Sequence, residues 1–270
     1  MEQFRGYSEN KNKIKNKLET INTVLSIFEG LGLDMSDYKE KIKHSLIDLE
    51  DEYINIALVG AFSDGKTSTI AGWLGMEIDN MKIATDESSD KIEIYEPKNL
   101  PEKCRIIDTP GLFGNKEYNL EQKTKDFISR AHIILYVVDA TNPLKESQKD
   151  SIELILRKLN KFSTTIFVIN KMDAVADLSD DEEFNEFEEI KRDNLVEKID
   201  RFINLTENEK NNIKIVCISA NPNTRGLPYW FENKEKYESK SRINNSKPIK
   251  TSSLLVSKIC WDSCKGKDSK

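Results

Sequence analysis

Ile54-Asn55-Ile56-Ala57-Leu58-Val59-Gly60-Ala61-Phe62-Ser63-Asp64-Gly65-Lys66-Thr67 decides how the rest of the chain is read. Its first six residues form a short apolar run, the pattern of a strand covered on both faces. Gly60 to Thr67 fit G-x-x-x-x-G-K-[ST]. In that pattern Gly60 and Gly65 let backbone N–H groups converge on phosphate oxygens. Lys66 reaches the outer phosphates, and the Thr67 hydroxyl ligates magnesium. Lys66 to Leu74 predicts a helix, so a helix N-terminus meets the anion. Asp64 is unusual beside phosphates; it faces a partner domain or, more simply, solvent.

Three further motifs follow at strand ends. Asp108-Thr109-Pro110-Gly111 closes the strand Cys104–Ile107, 42 residues after Lys66. A carboxylate there holds magnesium, usually through its water, and Gly111 lets a backbone N–H approach the terminal phosphate. Asn170-Lys171-Met172-Asp173 follows the strand Thr164–Ile169. Asp173 accepts two hydrogen bonds from the ring N–H and exocyclic amine of guanine; adenine offers neither, so the carboxylate selects GTP over ATP. Asn170 ties this loop to the phosphate loop, and the Lys171 stem covers the base. Ser219-Ala220, after the strand Lys214–Ile218, stands where a backbone N–H meets the base oxygen. Thr85 lies in a polar segment and suits a loop that closes over the nucleotide, its hydroxyl on magnesium and its amide on the γ-phosphate, with Ser88 and Ser89 as competitors.

Around these motifs the organisation is legible. Residues from about Asn10 to Phe28 predict an amphipathic helix with Ile14, Leu18, Ile21, Leu25 and Phe28 on one face. Ser36 to Asp51 predicts a second, N-capped by Ser36. From Tyr53, apolar strands alternate with helices, among them Tyr118 to Arg130, Lys145 to Leu159 and Asp181 to Ile203. That alternation implies an α/β domain in three layers with a mostly parallel central sheet. The long helix at 181–203 is either a partner or metal surface, or a solvated acidic face with Phe184, Phe187, Ile190 and Ile199 turned inward. After Ala220 the pattern dissolves. The expected division is 1–52, an N-terminal helical pair; 53–224, the nucleotide-binding domain; and 225–270, a polar basic tail without a fixed fold.

Composition sets outer limits. The chain has 270 residues, 41 Lys/Arg against 47 Asp/Glu, and a net charge of −6. Residues 222–270 carry 11 Lys/Arg and 5 Asp/Glu, so the remainder carries −12. So acidic a body argues against nucleic acid as a partner. The longest apolar run, Ile133 to Val138, is far short of the roughly 20 residues a bilayer span needs. With no leader pattern at the N-terminus, the expected location is cytoplasmic. Cys104 and Cys217 suit small buried hydrophobes, whereas Cys260 and Cys264 make a poor metal site. Trp73, Trp230 and Trp261 are expected to pack, and His44 and His132 receive no role.

The order of these motifs resembles the translation-factor class of P-loop GTPases over about Ile54 to Ala220. Within it the chain is similar to dynamin-like GTPases, particularly bacterial ones. Ser63 and Ser68 stand where dynamins carry serines, two helices precede the G domain, and Pro110-Gly111-Leu112 lacks the glutamine that Ras-like GTPases use to orient water. The resemblance implies binding of GTP with Mg2+ and hydrolysis to GDP. Lys66 would act on the transferring phosphate, Ser63 would contact a phosphate and a potassium ion, and Thr85 with the Gly111 backbone would hold water. It further implies a homodimer through paired G domains. Membrane association follows by family analogy alone. Dynamin-like proteins continue into a helical stalk, which the last 30 residues do not resemble; a truncated relative fits that. A non-hydrolysing GTP-dependent switch and an inactive remnant are the alternative readings.

Overall fold

The structure, a computed structural model, describes residues 2–50, 53–75, 93–95, 104–109, 125 and 127–243. The chain divides after Tyr53 into two compact units. No described helix is long and apolar enough to cross a membrane.

The first unit is a helical hairpin of α1 (Glu2–Gly30) and α2 (Ser36–Glu50). Its first helix begins well before Asn10. Gly32 turns the chain at φ 86°, a conformation open to glycine. Ser36 is the first helical residue, and both its N–H and its hydroxyl donate to Asp34 Oδ1. The expected apolar stripe of α1 splits in two. Leu18 and Leu25 are half-buried, whereas Ile14, Ile21 and Phe28 stay exposed. Facing rows on α1 and α2 are joined by Lys15–Glu50 at 3.0 Å and by Lys39–Glu29.

The second unit is built on a six-stranded sheet: β1 (Ile54–Val59), β2 (Glu93–Tyr95), β3 (Cys104–Asp108), β4 (Ile133–Asp139), β5 (Thr165–Asn170) and β6 (Lys214–Cys217). The strand order is β2-β3-β1-β4-β5-β6, with β2 antiparallel to β3 and every other pairing parallel. The period-2 alternation of a strand sorts its side chains onto two faces. Ala57, Val59, Ile134, Tyr136, Val138 and Phe167 join one apolar cluster; Ile56, Leu58, Ile133, Leu135, Val137 and Val168 join the other. Both faces are covered, which is why β4 and β5 tolerate no polar alternation.

On the first face lie α4 (Lys149–Glu153), entered through a 3-10 turn and continued by a π-helical turn, and α5 (Asp181–Ile203). Asp180 caps α5 by accepting from the N–H groups of Glu182 and Glu183. Phe184, Leu195, Ile199 and Phe202 are buried and Phe187 is packed against them. Ile190, expected inward, is 44% exposed, because it lies on the outer face with the glutamates. A short helix α6 (Glu207–Asn212), with a capping box between Thr206 and Glu209, leads into β6.

The opposite face is covered by α3 (Lys66–Leu74), α7 (Leu227–Glu232) and α8 (Lys234–Ser241). Here the expected tail from 225 is corrected. Leu227, Trp230, Tyr237 and Ile243 are buried, the last three in the same cluster as Ile70, Leu74 and Val168. The strands' second face is apolar, and α3 alone leaves part of it uncovered. The chain to Ile243 therefore belongs to the sheet domain.

Candidate functional site

The motifs gather at the carboxyl edge of the sheet, where β1 has strands on either side that lead the chain in opposite directions. In an open α/β sheet this crevice takes the ligand. Gly60 (φ 152°) passes so close to β4 that a Cβ would lie 2.3 Å from the Val137 carbonyl oxygen. Ser63 (φ 68°) and Gly65 (φ 88°) adopt left-handed conformations that curl the backbone into a loop, and α3 starts at Lys66. Ser63 is exposed; Ser68, on the first turn of α3, is half-buried. Lys66 is buried, its Nζ donating to the carbonyls of Gly60 (3.2 Å) and Ala61 (3.0 Å). Burial holds its pKa below the usual lysine range, against the opposing pull of Asp108 and Asp64.

Asp64 does not face solvent. It is 7% exposed, and its Oδ2 accepts from the Ala61 N–H at 2.9 Å, so the side chain braces the loop from within. Burial pushes its carboxyl up to about 6; the Ala61 hydrogen bond and Lys66 pull the other way, Asp139 adds to the rise, and Lys171 opposes it. Next to it, Thr67 Oγ1 donates to Asp108 Oδ2 at 3.0 Å, bringing the first turn of α3 against the end of β3. Thr109 is buried, its hydroxyl on the Leu58 carbonyl.

Asn170 is the bolt of the site. Its Nδ2 donates to the Asp64 carbonyl (2.9 Å) and its Oδ1 accepts from the Ala220 N–H (2.9 Å). Gly65 leaves room for it: a Cβ there would sit 2.2 Å from Asn170 Nδ2. Of the Ser219-Ala220 pair expected to offer a backbone N–H to the base oxygen, the Ala220 N–H is thus held by Asn170 and the Ser219 N–H by the Ser241 carbonyl. Lys171 (φ 64°) pairs with Asp139 Oδ2 at 2.8 Å. Burial raises the Asp139 carboxyl, but hydrogen bonds from Lys171 and Thr141 outweigh it and hold the group below the usual range. Asp173 Oδ1 accepts from Ser219 Oγ (2.6 Å) and Oδ2 from the Asn223 N–H (2.8 Å). A carboxylate offers about four lone-pair positions, so two remain for a ligand.

Two family models match the chain: "Dynamin family" over residues 75–172 and "Dynamin-like helical domain" over residues 205–255. In structure the chain is similar to the LeoA bacterial dynamin GTPase from ETEC, with 47% identity and a TM-score of 0.68, covering 97% of this chain and 47% of that one. Both family models and the LeoA likeness are to dynamin-like proteins. Toc33 from Arabidopsis thaliana shares the fold at 19% identity and a TM-score of 0.50, over 68% of this chain and 79% of that one. GTPase Era of Aquifex aeolicus is 27% identical over 127 residues, 44% of this chain and 41% of Era. This chain thus spans less than half the length of LeoA and of Era. The helical-domain match runs from residue 205 to 255, so it takes in the first half of the last 30 residues, which on sequence do not resemble a helical stalk.

Of the candidate residues in this domain, the structure brings together Gly60, Asp64, Gly65, Lys66, Thr67, Asp108, Asn170, Lys171, Asp173, Ser219 and Ala220. Thr85, Gly111 and Leu112 lie outside the described residues. Thr67 and Asp108 offer two hard oxygen donors at 3.0 Å from each other, a set that suits Mg2+ completed by phosphate and water. Asp139 and Asn223 were missed in the sequence. The signal for Asp139 was its place at the end of a buried strand on the ligand edge; Asn223 acts through its backbone and carries no side-chain signal.

Proposed function

We propose that this chain binds GTP with Mg2+ and hydrolyses it to GDP and phosphate, and that pairing of two G domains stimulates turnover. The observation that carries the reading is the double hydrogen bond of Asn170, which locks the phosphate loop and the base loop into one groove. Lys66, already at the loop, opposes the charge of the outer phosphates. Asp173 keeps two acceptor positions for the ring N–H and amine of guanine. Thr67 and Asp108 would hold Mg2+, which supplies charge neutralisation on the phosphate oxygens. Ser63, exposed at the turn of the loop, offers a hydroxyl oxygen that suits potassium, while Thr85 and the Gly111 N–H would hold the water.

Competition binding tests the base assignment. GTP should displace a labelled guanine nucleotide at least 100-fold more effectively than ATP. Asp173→Asn should shift preference toward xanthosine triphosphate, whose extra carbonyl accepts from the amide. Equal competition by ATP in the unsubstituted chain removes the guanine reading. Saturable GTP binding with no phosphate release at any protein concentration leaves a non-hydrolysing switch instead.

A further inference from the structure

The base loop is gripped from a side that no motif touches. On one side Asn170 holds the Ala220 N–H, and the Met172 N–H donates to the Ile218 carbonyl at 3.1 Å. On the other side stands α8. The Ser219 N–H donates to the Ser241 carbonyl at 2.9 Å, and the Tyr237 hydroxyl donates to the Ala220 carbonyl at 2.9 Å. Just beyond, Trp230 Nε1 donates to the Pro222 carbonyl at 3.0 Å. Because each peptide group is planar and trans, its C=O and N–H point in opposite directions. Fixing the Ala220 carbonyl toward α8 therefore fixes the Asn221 N–H away from it.

Tyr237 is placed to do this reproducibly. It is 4% exposed, and its ring packs edge-on against Phe231 (5.7 Å between centroids) and tilted against Trp230 (6.0 Å). Burial raises the phenol's pKa, so it stays a neutral donor. The hydroxyl also abuts α3: a Cβ on Gly72 would lie 2.2 Å from it. One oxygen thus keys the base loop to the helix that begins at Lys66.

We propose that Tyr237 is a positioning residue for guanine recognition, holding the Ala220–Asn221 peptide so that the Asn221 N–H is presented to the 6-oxygen of the base. This role rests on the GTP-binding reading above. It needs no contact between Tyr237 and the ligand, and it makes α8 part of the base site.

The test is a cycle between residue and base atom on the full chain, with GDP and 6-thioguanosine diphosphate as probes. Sulfur is a weaker acceptor, so the analogue reports the 6-position while keeping the groups that Asp173 reads. Tyr237→Phe should weaken GDP about fivefold to tenfold, the loss expected for one buried hydrogen bond, and should leave the analogue nearly unchanged. Gly72→Ala, which keeps the hydroxyl but pushes it off the Ala220 carbonyl, should narrow the GDP-to-analogue ratio in the same way. A purely structural lesion would weaken both nucleotides equally; that result, or unchanged GDP affinity in both variants, overturns the role. If the unsubstituted chain binds ADP as tightly as GDP, the guanine reading itself falls and takes this role with it.

Discussion

Asp64 shows how one residue's surroundings change its chemistry. In sequence it is an anion at a phosphate site, which looks self-defeating. In the structure it is buried and serves as an internal acceptor for the Ala61 N–H, with Lys66, Lys171 and Asp139 as the charges that face it. Its folded pKa of about 6 lies above the ordinary 3.8, so the folded chain holds the proton more tightly than the unfolded chain. The group's contribution to stability is therefore full below about pH 4 and is lost as pH rises through 6. Above that, ionised Asp64 costs up to ~3 kcal/mol. Asp64→Asn keeps an acceptor oxygen and removes the charge. Urea unfolding should show it more stable by ~1–3 kcal/mol at pH 7.5 and nearly unchanged at pH 4; an equal effect at both would refute the assignment. The motifs were legible at this scale because their chemistry is contiguous in sequence. The brace role of Asp64 was not, since nothing in G-x-x-x-x-G-K-T says which way the fourth variable side chain points.

Among the elements, the sheet was legible and its second cover was not. β4 and β5 announce themselves as unbroken apolar runs, and parallel strands need helices on both faces. The helices over the second face hide their signal. Leu227, Trp230 and Phe231 recur at i, i+3 and i+4, but the run is six residues long, too short to show a period, and α8 is mostly Lys, Glu and Ser. Tyr237 and Ile243 then complete the cover from positions too sparse to show a period. The consequence is quantitative. Trp230 is 4% exposed, packs against Tyr229 and Tyr237 and bonds the Pro222 carbonyl. Trp230→Ala should cost about 3–5 kcal/mol, the range for removing a buried aromatic side chain, and should lower the urea midpoint of the sheet domain. A loss under ~0.5 kcal/mol is what a tail without fixed structure would give, and it would restore that reading.

For the molecule as a whole, the binding groups converge but the residue after Gly111 is Leu112, which cannot polarise water. On the proposed GTPase reading, hydrolysis then needs a contribution that a single G domain does not carry in the Ras-like way. A second G domain docked across the nucleotide would exclude water and strengthen every charge–charge interaction in the groove. Ser63 is exposed on that open side of the loop, where a partner and a potassium ion could both meet it. Sedimentation with GDP and a metal fluoride, which mimics the transferring phosphate, should give a dimer, while GDP alone should give a monomer. Turnover per chain should rise with protein concentration and with potassium. Ser63→Ala should lose the potassium stimulation and the mimic-dependent dimer, yet bind GTP within about threefold of the unsubstituted chain, because Lys66, Asn170 and Asp173 remain. A chain that stays monomeric with the mimic while hydrolysing GTP at a concentration-independent rate would place the water from within one protomer, and pairing would have no part in the reaction.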